Sequence, residues 1–331
     1  MRSWMKVALA AILLGCGGAA GAPVHRVLDR IPGPDGGWDY LRVDPAHNRV
    51  LITRGASVMA VDLTTGKVTP SLVSGSRFHI ALPIRAGAEI LVTDGGADTA
   101  MFVDAVTGVT LATVATGKGP DAAAFDPSSG LVLVVDHDGG DMTLIDAASH
   151  QKVGSVAVGG ELEEVAVDGA GRAFVNVESK NEIAVIDIAG RAVIARYPLT
   201  GCDGPTGLAY DSADKLLLAA CDGATDLVSA RTGKVVRTLH TGKGADGVAY
   251  DSVRRLAFVP AGRDGTMAVI ALSHGEGRIV ETVPTQLSAR TIALDERTGR
   301  LYLPAAQYVF PAGGGRPTIT PGSFRLLVVG K

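Results

Sequence analysis

Short runs of Val, Ala, Leu and Ile alternate with turns of Gly, Asp, Ser, Thr and Pro along the chain. One such run recurs with Asp at its end. It reads WDYLRVD at Asp44, PDAAAFD at Asp126, LEEVAVD at Asp168, PTGLAYD at Asp211, ADGVAYD at Asp251 and ARTIALD at Asp295. The second copy is RFHIALP, with Pro83 in the Asp position. Successive markers are 39, 43, 42, 43, 40 and 44 residues apart. A period of that length, all strand and turn, predicts a β-propeller with one four-stranded antiparallel blade per repeat. The expected fold is all-β and seven-bladed.

The third repeat shows the parse. Ala122–Asp126 is the inner strand, Leu131–Asp136 the second, Met142–Asp146 the third and Lys152–Val158 the outer one. Thr65-Gly66, Thr107-Gly108 and Thr232-Gly233 mark the turn into the outer strand, where Gly supplies positive φ. The marker aspartates read as turn caps that bond backbone amides two residues on, rather than as a catalytic set. Asp62, Asp104, Asp146 and Asp187 are expected to do the same before the outer strand.

The seventh repeat is short. It offers Arg290–Asp295, Arg300–Pro304 and Phe324–Val329, separated by a Pro- and Gly-rich loop over Ala305–Ser323. The segment Val24–Ile31 is a strand without a blade of its own. The expectation is that it completes the last blade and closes the ring, which removes open sheet edges.

A ring of repeats is one architectural unit, so 331 residues need not mean two domains. Hydrophobic residues make up 47% and aromatics only 5%, which suits thin strands rather than an aromatic core. The net charge is -3, and losing Arg2 and Lys6 would make it more negative. That balance gives no footprint for nucleic acid or an anionic membrane.

Residues 1–22 read as a secretion signal: Arg2 and Lys6, the apolar run Val7 to Leu14, then small residues. The run is too short to span a bilayer. Two processing routes stand open. Leu13-Leu14-Gly15-Cys16 resembles a lipobox, which would acylate Cys16; Ala20 or Ala22 offers ordinary cleavage. Either route makes residues 23–331 a single propeller domain outside the cytoplasm, periplasmic, secreted or lipid-anchored, and expected to be a monomer.

Beyond the period, the motifs resemble a known family. Gly117-Lys118-Gly119-Pro120-Asp121, Ile183-Ala184-Val185-Ile186-Asp187 and Pro205-Thr206-Gly207-Leu208-Ala209 are similar to the YVTN-type β-propellers, and more narrowly to their YncE-like bacterial branch. The resemblance implies fold and export and says little about activity.

Cys202 and Cys221 flank the first hairpin of the fifth repeat, nearly opposite each other across it. Antiparallel partners lie within disulfide reach, and an oxidising compartment favours closure.

Candidate chemistry sits five residues before each marker. That slot opens the inner strand, at one mouth of the central channel. It holds Asp39, Phe78 or His79, Asp121, Glu163, Thr206, Asp246 and Arg290, with Trp38, Tyr40 and Glu164 beside it. The flanks repeat from blade to blade; this slot does not. Two readings remain: a wet channel that tolerates polar groups, or a ligand site. Asp121 and Glu163 are neighbours able to hold Ca²⁺ or another divalent cation. Arg290 suits an anionic group, and His79 with a carboxylate suits acid–base work. The sequence carries no G-x-S-x-G, H-E-x-x-H or C-x-x-C-H motif. His25, His47, His137, His150, His240 and His274 are scattered and read as surface residues. The favoured function is an extracytoplasmic binding or scaffold propeller for a small molecule or a periplasmic protein. The alternatives are a metal-dependent hydrolase or lactonase using the same mouth, and an accessory to a periplasmic redox or uptake system.

Overall fold

The computed structural model describes residues 24–309 and 317–331. The leader, with Cys16 and both processing routes, lies outside the described residues, as does part of the loop Ala305–Ser323. Five antiparallel sheets have four strands each, and a sixth has seven. The large sheet arises because the outer strand of the first repeat runs on into the inner strand of the second as Val68–Ile84. The other repeats break at that passage with paired glycines or Pro; Ser74-Gly75-Ser76-Arg77 has one Gly and no Pro. Divided there, the large sheet is two units, which makes seven among the described residues.

The third unit is typical: Pro120–Asp126, Leu131–Asp136, Asp141–Asp146 and Gln151–Ala157, paired in that order. Second strands such as Glu89–Asp94 are buried along their whole length, because neighbouring sheets cover both faces. Outer strands such as Ala192–Pro198 alternate exposed and covered residues, because one face meets water. The core is therefore divided among clusters between the sheets, one of them continuous from Tyr40 to Ile188, and is filled by Val, Ile, Leu and, among the described residues, five fully buried phenylalanines.

The marker aspartates are turn caps. Asp126 accepts from Ser128 and Ser129, and Asp168 from the Ala170 and Arg172 amides. Asp62, Asp104 and Asp146 each accept two amides in the following turn. Asp187 makes no such bond among the described residues.

The first strand, Arg26–Pro32, pairs antiparallel with Arg325–Gly330 and completes the seventh unit as its outer strand. His25 adds a tie to the sixth unit, its amide and ring both bonding Glu281. The Pro- and Gly-rich loop is not wholly irregular, since Tyr308–Val309 pairs with Thr318–Ile319. Cys202 and Cys221 are disulfide-bonded, with Cα atoms 5.4 Å apart and both residues buried. No helix among the described residues is long and apolar enough to cross a membrane.

Deleting residues 24–32 should lower the melting temperature by about 10 °C or more, since each lost kcal/mol costs about 2–4 °C in a chain of this size. An unchanged melt would show that the strand is ornamental. A second test uses acid. Burial opposes the charge on Asp168 and Asp295, but the bonds from Arg172 and Ala170, and from Arg297 and Thr298, outweigh it and hold both carboxyls below the usual range. A carboxyl depressed in the folded state adds stability above the unfolded value of about 3.9 and loses it as pH falls through the folded value. Asp168→Asn should therefore destabilise at pH 7 and flatten the fall in melting temperature below about pH 4. A variant whose curve merely parallels wild type would contradict the capping role.

Candidate functional site: the channel mouth

The slot residues are placed by hydrogen bonds that pass from unit to unit. The Tyr40 amide and Thr53 Oγ1 donate to the His79 carbonyl. Thr93 Oγ1 donates to the Asp121 carbonyl at 2.7 Å, and the Glu164 amide to that of Thr206 at 3.3 Å. Thr206 Oγ1 donates to Ala245 O, the Asp246 amide to Arg290 O, and Thr291 Oγ1 to Asp39 O. The backbones of Asp39, His79, Asp121, Thr206, Asp246 and Arg290 are thus tied to neighbouring units.

The ambiguous second slot resolves by packing. Phe78 is buried in the core, and His79 takes the mouth position. His79 Nδ1 lies 2.6 Å from Asp39 Oδ2 and 3.2 Å from Asp121 Oδ1. Its Nε2 packs against Gly95, where a Cβ would sit 2.9 Å away, so glycine is what admits the ring. Burial works against a charge on His79, yet the two carboxylates overcome it and raise the ring to about 10.

A second histidine joins the arc. His137 Nδ1 lies 3.2 Å from Glu163 Oε1 and 2.8 Å from Leu162 O, and the bond to Glu163 raises the ring to about 9. The expectation that His137 is a scattered surface residue is thus corrected. It follows the second strand of the third unit, in a position that also holds Arg54, Gly95, Glu178 and Cys221 in other units. Comparing repeats at that position would have found it. His25 is buried against Phe258 and Glu281, and His150 stacks on Phe102 and bonds Glu89, so neither is a free surface residue.

The other side of the mouth is built differently. Arg290 Nε donates to Asp246 Oδ2 at 2.7 Å and another guanidinium nitrogen donates to Trp38 O at 2.9 Å. Burial pushes the Asp246 carboxyl up to about 7 in spite of Arg290. Beside this pair opens a cavity of about 1130 Å³. Thr206, Asp246, Leu287, Ser288, Arg290 and Tyr308 are among its lining residues. Asp39, His79, Asp121 and Glu163 lie outside it, so the slot residues do not make one pocket.

Below the mouth, Arg42 donates to Glu164 Oε1 at 2.9 Å, joining the first unit to the fourth. Its guanidinium also lies over the Tyr40 ring, 5.5 Å from the centroid. This bar lies between the inner strands of units well separated around the chain order. The acids of the mouth do not stand unpaired. Asp39 and Asp121 face His79, Glu163 faces His137 and Asp246 faces Arg290, which removes the mutual repulsion that four bare carboxylates would suffer.

No family model matches the chain, and no curated protein matches it. Solved structures do. A chain of the Kuenenia stuttgartiensis hydrazine synthase is similar over 87% of this chain and 95% of its own, with 16% identity and a TM-score of 0.71. A chain of a mitotic checkpoint complex is similar over 99% and 97%, with 13% identity and a TM-score of 0.73. Both are β-propeller-type folds, and at such identities they speak for the fold alone.

The bar gives a direct test. Glu164 is buried and Arg42 about one-quarter exposed. Arg42→Met should cost about 2–3 kcal/mol, less than a fully buried pair because of that exposure. The double change Arg42→Met, Glu164→Leu should recover most of the loss in a denaturant titration. Equal loss in single and double variants would mean the pair contributes through shape only.

Proposed function

We propose that this chain is an exported binding protein: a seven-bladed propeller, closed by its first strand, that takes a small organic ligand in its channel mouth. The observation that carries the reading is the cavity beside Arg290 and Asp246. Leu287, Tyr308 and Ala306 give it an apolar wall, and Arg290, Asp246 and Thr206 a polar edge. Pockets of this kind bind a molecule with an apolar body and a few polar groups, and few positions fix its orientation. Arg290 favours an anionic group at that edge.

Supporting the closed ring are the pairing of Arg26–Pro32 with Arg325–Gly330 and the bonds from Thr291 and Arg290 to the first unit. Supporting export are the Cys202–Cys221 disulfide and the basic, apolar start of the sequence. The YVTN-type, YncE-like repeat fits both. A periplasmic protein partner, or a role beside a redox or uptake system, is compatible with the same mouth. A metal-dependent hydrolase is the second reading, and the pairing of His79 and His137 with carboxylates is what favours it.

Trp38 is the reporter for the ligand. It is buried and packs on Tyr308 and Phe324, with Arg290 over its ring. It is also the one tryptophan after the leader. Carboxylic acids, amines, sugars and lactones should be screened by Trp38 emission and thermal shift, in the presence of chelator. We expect a carboxylic acid with an apolar body to change both, raising stability by about 2.7 kcal/mol at a hundredfold excess over Kd. Arg290→Ala should weaken its binding about tenfold or more, since charged hydrogen bonds are worth about 1.5–3 kcal/mol. Silence across all four classes would leave the plain scaffold reading.

A further inference from the structure

The carboxylate oxygen Asp121 Oδ1 is buried and takes no hydrogen bond. His79 Nδ1 is 3.2 Å from it, but that nitrogen lies closer to Asp39 Oδ2, at 2.6 Å. A buried carboxylate oxygen with a charge nearby but no hydrogen bond of its own is costly, and a native site that keeps one calls for an ion or other partner. The donor atoms of Asp39, His79 and Asp121 all lie within 4.8 Å of one another. An ion with bonds of about 2.1 Å holds donors roughly 3–4 Å apart, so the triad needs only a small adjustment.

The frame around the triad is rigid. The His79 carbonyl is held by Tyr40 N and Thr53 Oγ1, and the Asp121 carbonyl by Thr93 Oγ1. Gly95 closes behind the His79 ring, so its Nδ1 edge is the one presented to both carboxylates. Asp121, His137 and Glu163 form a second group of similar size that shares Asp121. There, His137 Nδ1 is also held by Leu162 O at 2.8 Å. The Leu162 carbonyl would go on holding that nitrogen's proton after an ion arrived, whereas the partner of His79 Nδ1 is Asp39, itself a ligand, so an ion can take both and release the His79 proton to solvent; the first triad is the better site.

We propose that Asp39, His79 and Asp121 bind one divalent transition-metal ion, with its open coordination positions facing the mouth. One imidazole with two carboxylates suits Mn²⁺, Fe²⁺, Co²⁺ or Zn²⁺, whereas Ca²⁺ takes six to eight oxygens and gains little from a ring nitrogen. Three protein ligands leave room for water or for a group on a bound molecule, as in metal sites that bind substrates. The site is separate from the cavity at Arg290, so it stands whether or not an organic ligand is found there.

The test uses the full mature chain, stripped with chelator and dialysed. Co²⁺ is titrated and followed by visible absorption and by calorimetry. We expect saturation at about one Co²⁺ per chain, competed by Zn²⁺ and left in place by an excess of Ca²⁺. His79→Ala and Asp121→Asn should each weaken binding by more than the roughly 10- to 100-fold that losing even an outer-shell partner costs. His150→Ala, which removes another partly buried histidine–carboxylate pair, should leave it unchanged. If His79→Ala fails to fold by circular dichroism, Asp39→Asn and Asp121→Asn carry the test. No Co²⁺ absorption in wild type, displacement by Ca²⁺, or full binding in the folded triad variants would overturn the proposal.

Discussion

The mouth depends on one device: a hydrogen bond handed from each unit to the backbone of its neighbour at the innermost circle. Thr53 reaches His79, Thr93 reaches Asp121, Asn176 reaches Gly207, and Thr291 reaches Asp39. These bonds lie where the inner strands begin, and most of their donors are fully covered. A buried hydroxyl without a partner would cost a few kcal/mol, so each bond is in effect obligatory. The acceptors are main-chain carbonyls. At Asp39, His79 and Asp121 the side chain is therefore not needed for that bond and can carry other chemistry, whereas Thr206 and Arg290 also use their side chains to bond the neighbouring unit.

That release explains a contrast otherwise odd in a repeat protein. The second strands are nearly interchangeable apolar runs, since each is covered on both faces by neighbouring sheets. The slots differ from unit to unit. They also sort by position: the first four units supply Asp39, His79, Asp121, His137 and Glu163, and the last three supply Thr206, Asp246 and Arg290. One side can hold a cation or its equivalent positive charge; the other has volume, an apolar wall and a guanidinium. A molecule with an apolar body and a metal-seeking group would use both.

The seven-unit organisation was legible because turn chemistry leaves marks at fixed intervals. Asp126 and Asp168 must cap their turns, and Gly66, Gly108 and Gly233 must take positive φ. Strand ends were less legible. Inner strands of the sixth and seventh units shrink to Ala249–Asp251 and Ala293–Asp295, because their first residues bond across to neighbouring units instead of within the sheet. The fusion at Val68–Ile84 was hidden by a missing punctuation mark, not by a present one. Phe78 and His79 were separable only once core and mouth had faces. His137 escaped because it follows a different strand of the repeat, and spacing from the marker Asp does not reach it.

The incomplete seventh unit is where fold and site meet. Its third strand, Arg325–Gly330, comes only after an excursion that includes the short ribbon of Tyr308–Val309 and Thr318–Ile319. Tyr308 from that ribbon lines the cavity and packs on Trp38, which in turn lies under Arg290. The chain can spend those residues on a wall because the outer strand is supplied from the other end, by Arg26–Pro32. Arg30 of that same strand also reaches the cavity lining. The joint between the two ends of the chain thus supplies part of the pocket, so strain introduced at the joint should be felt at Trp38 before it is felt in the distant third and fourth units.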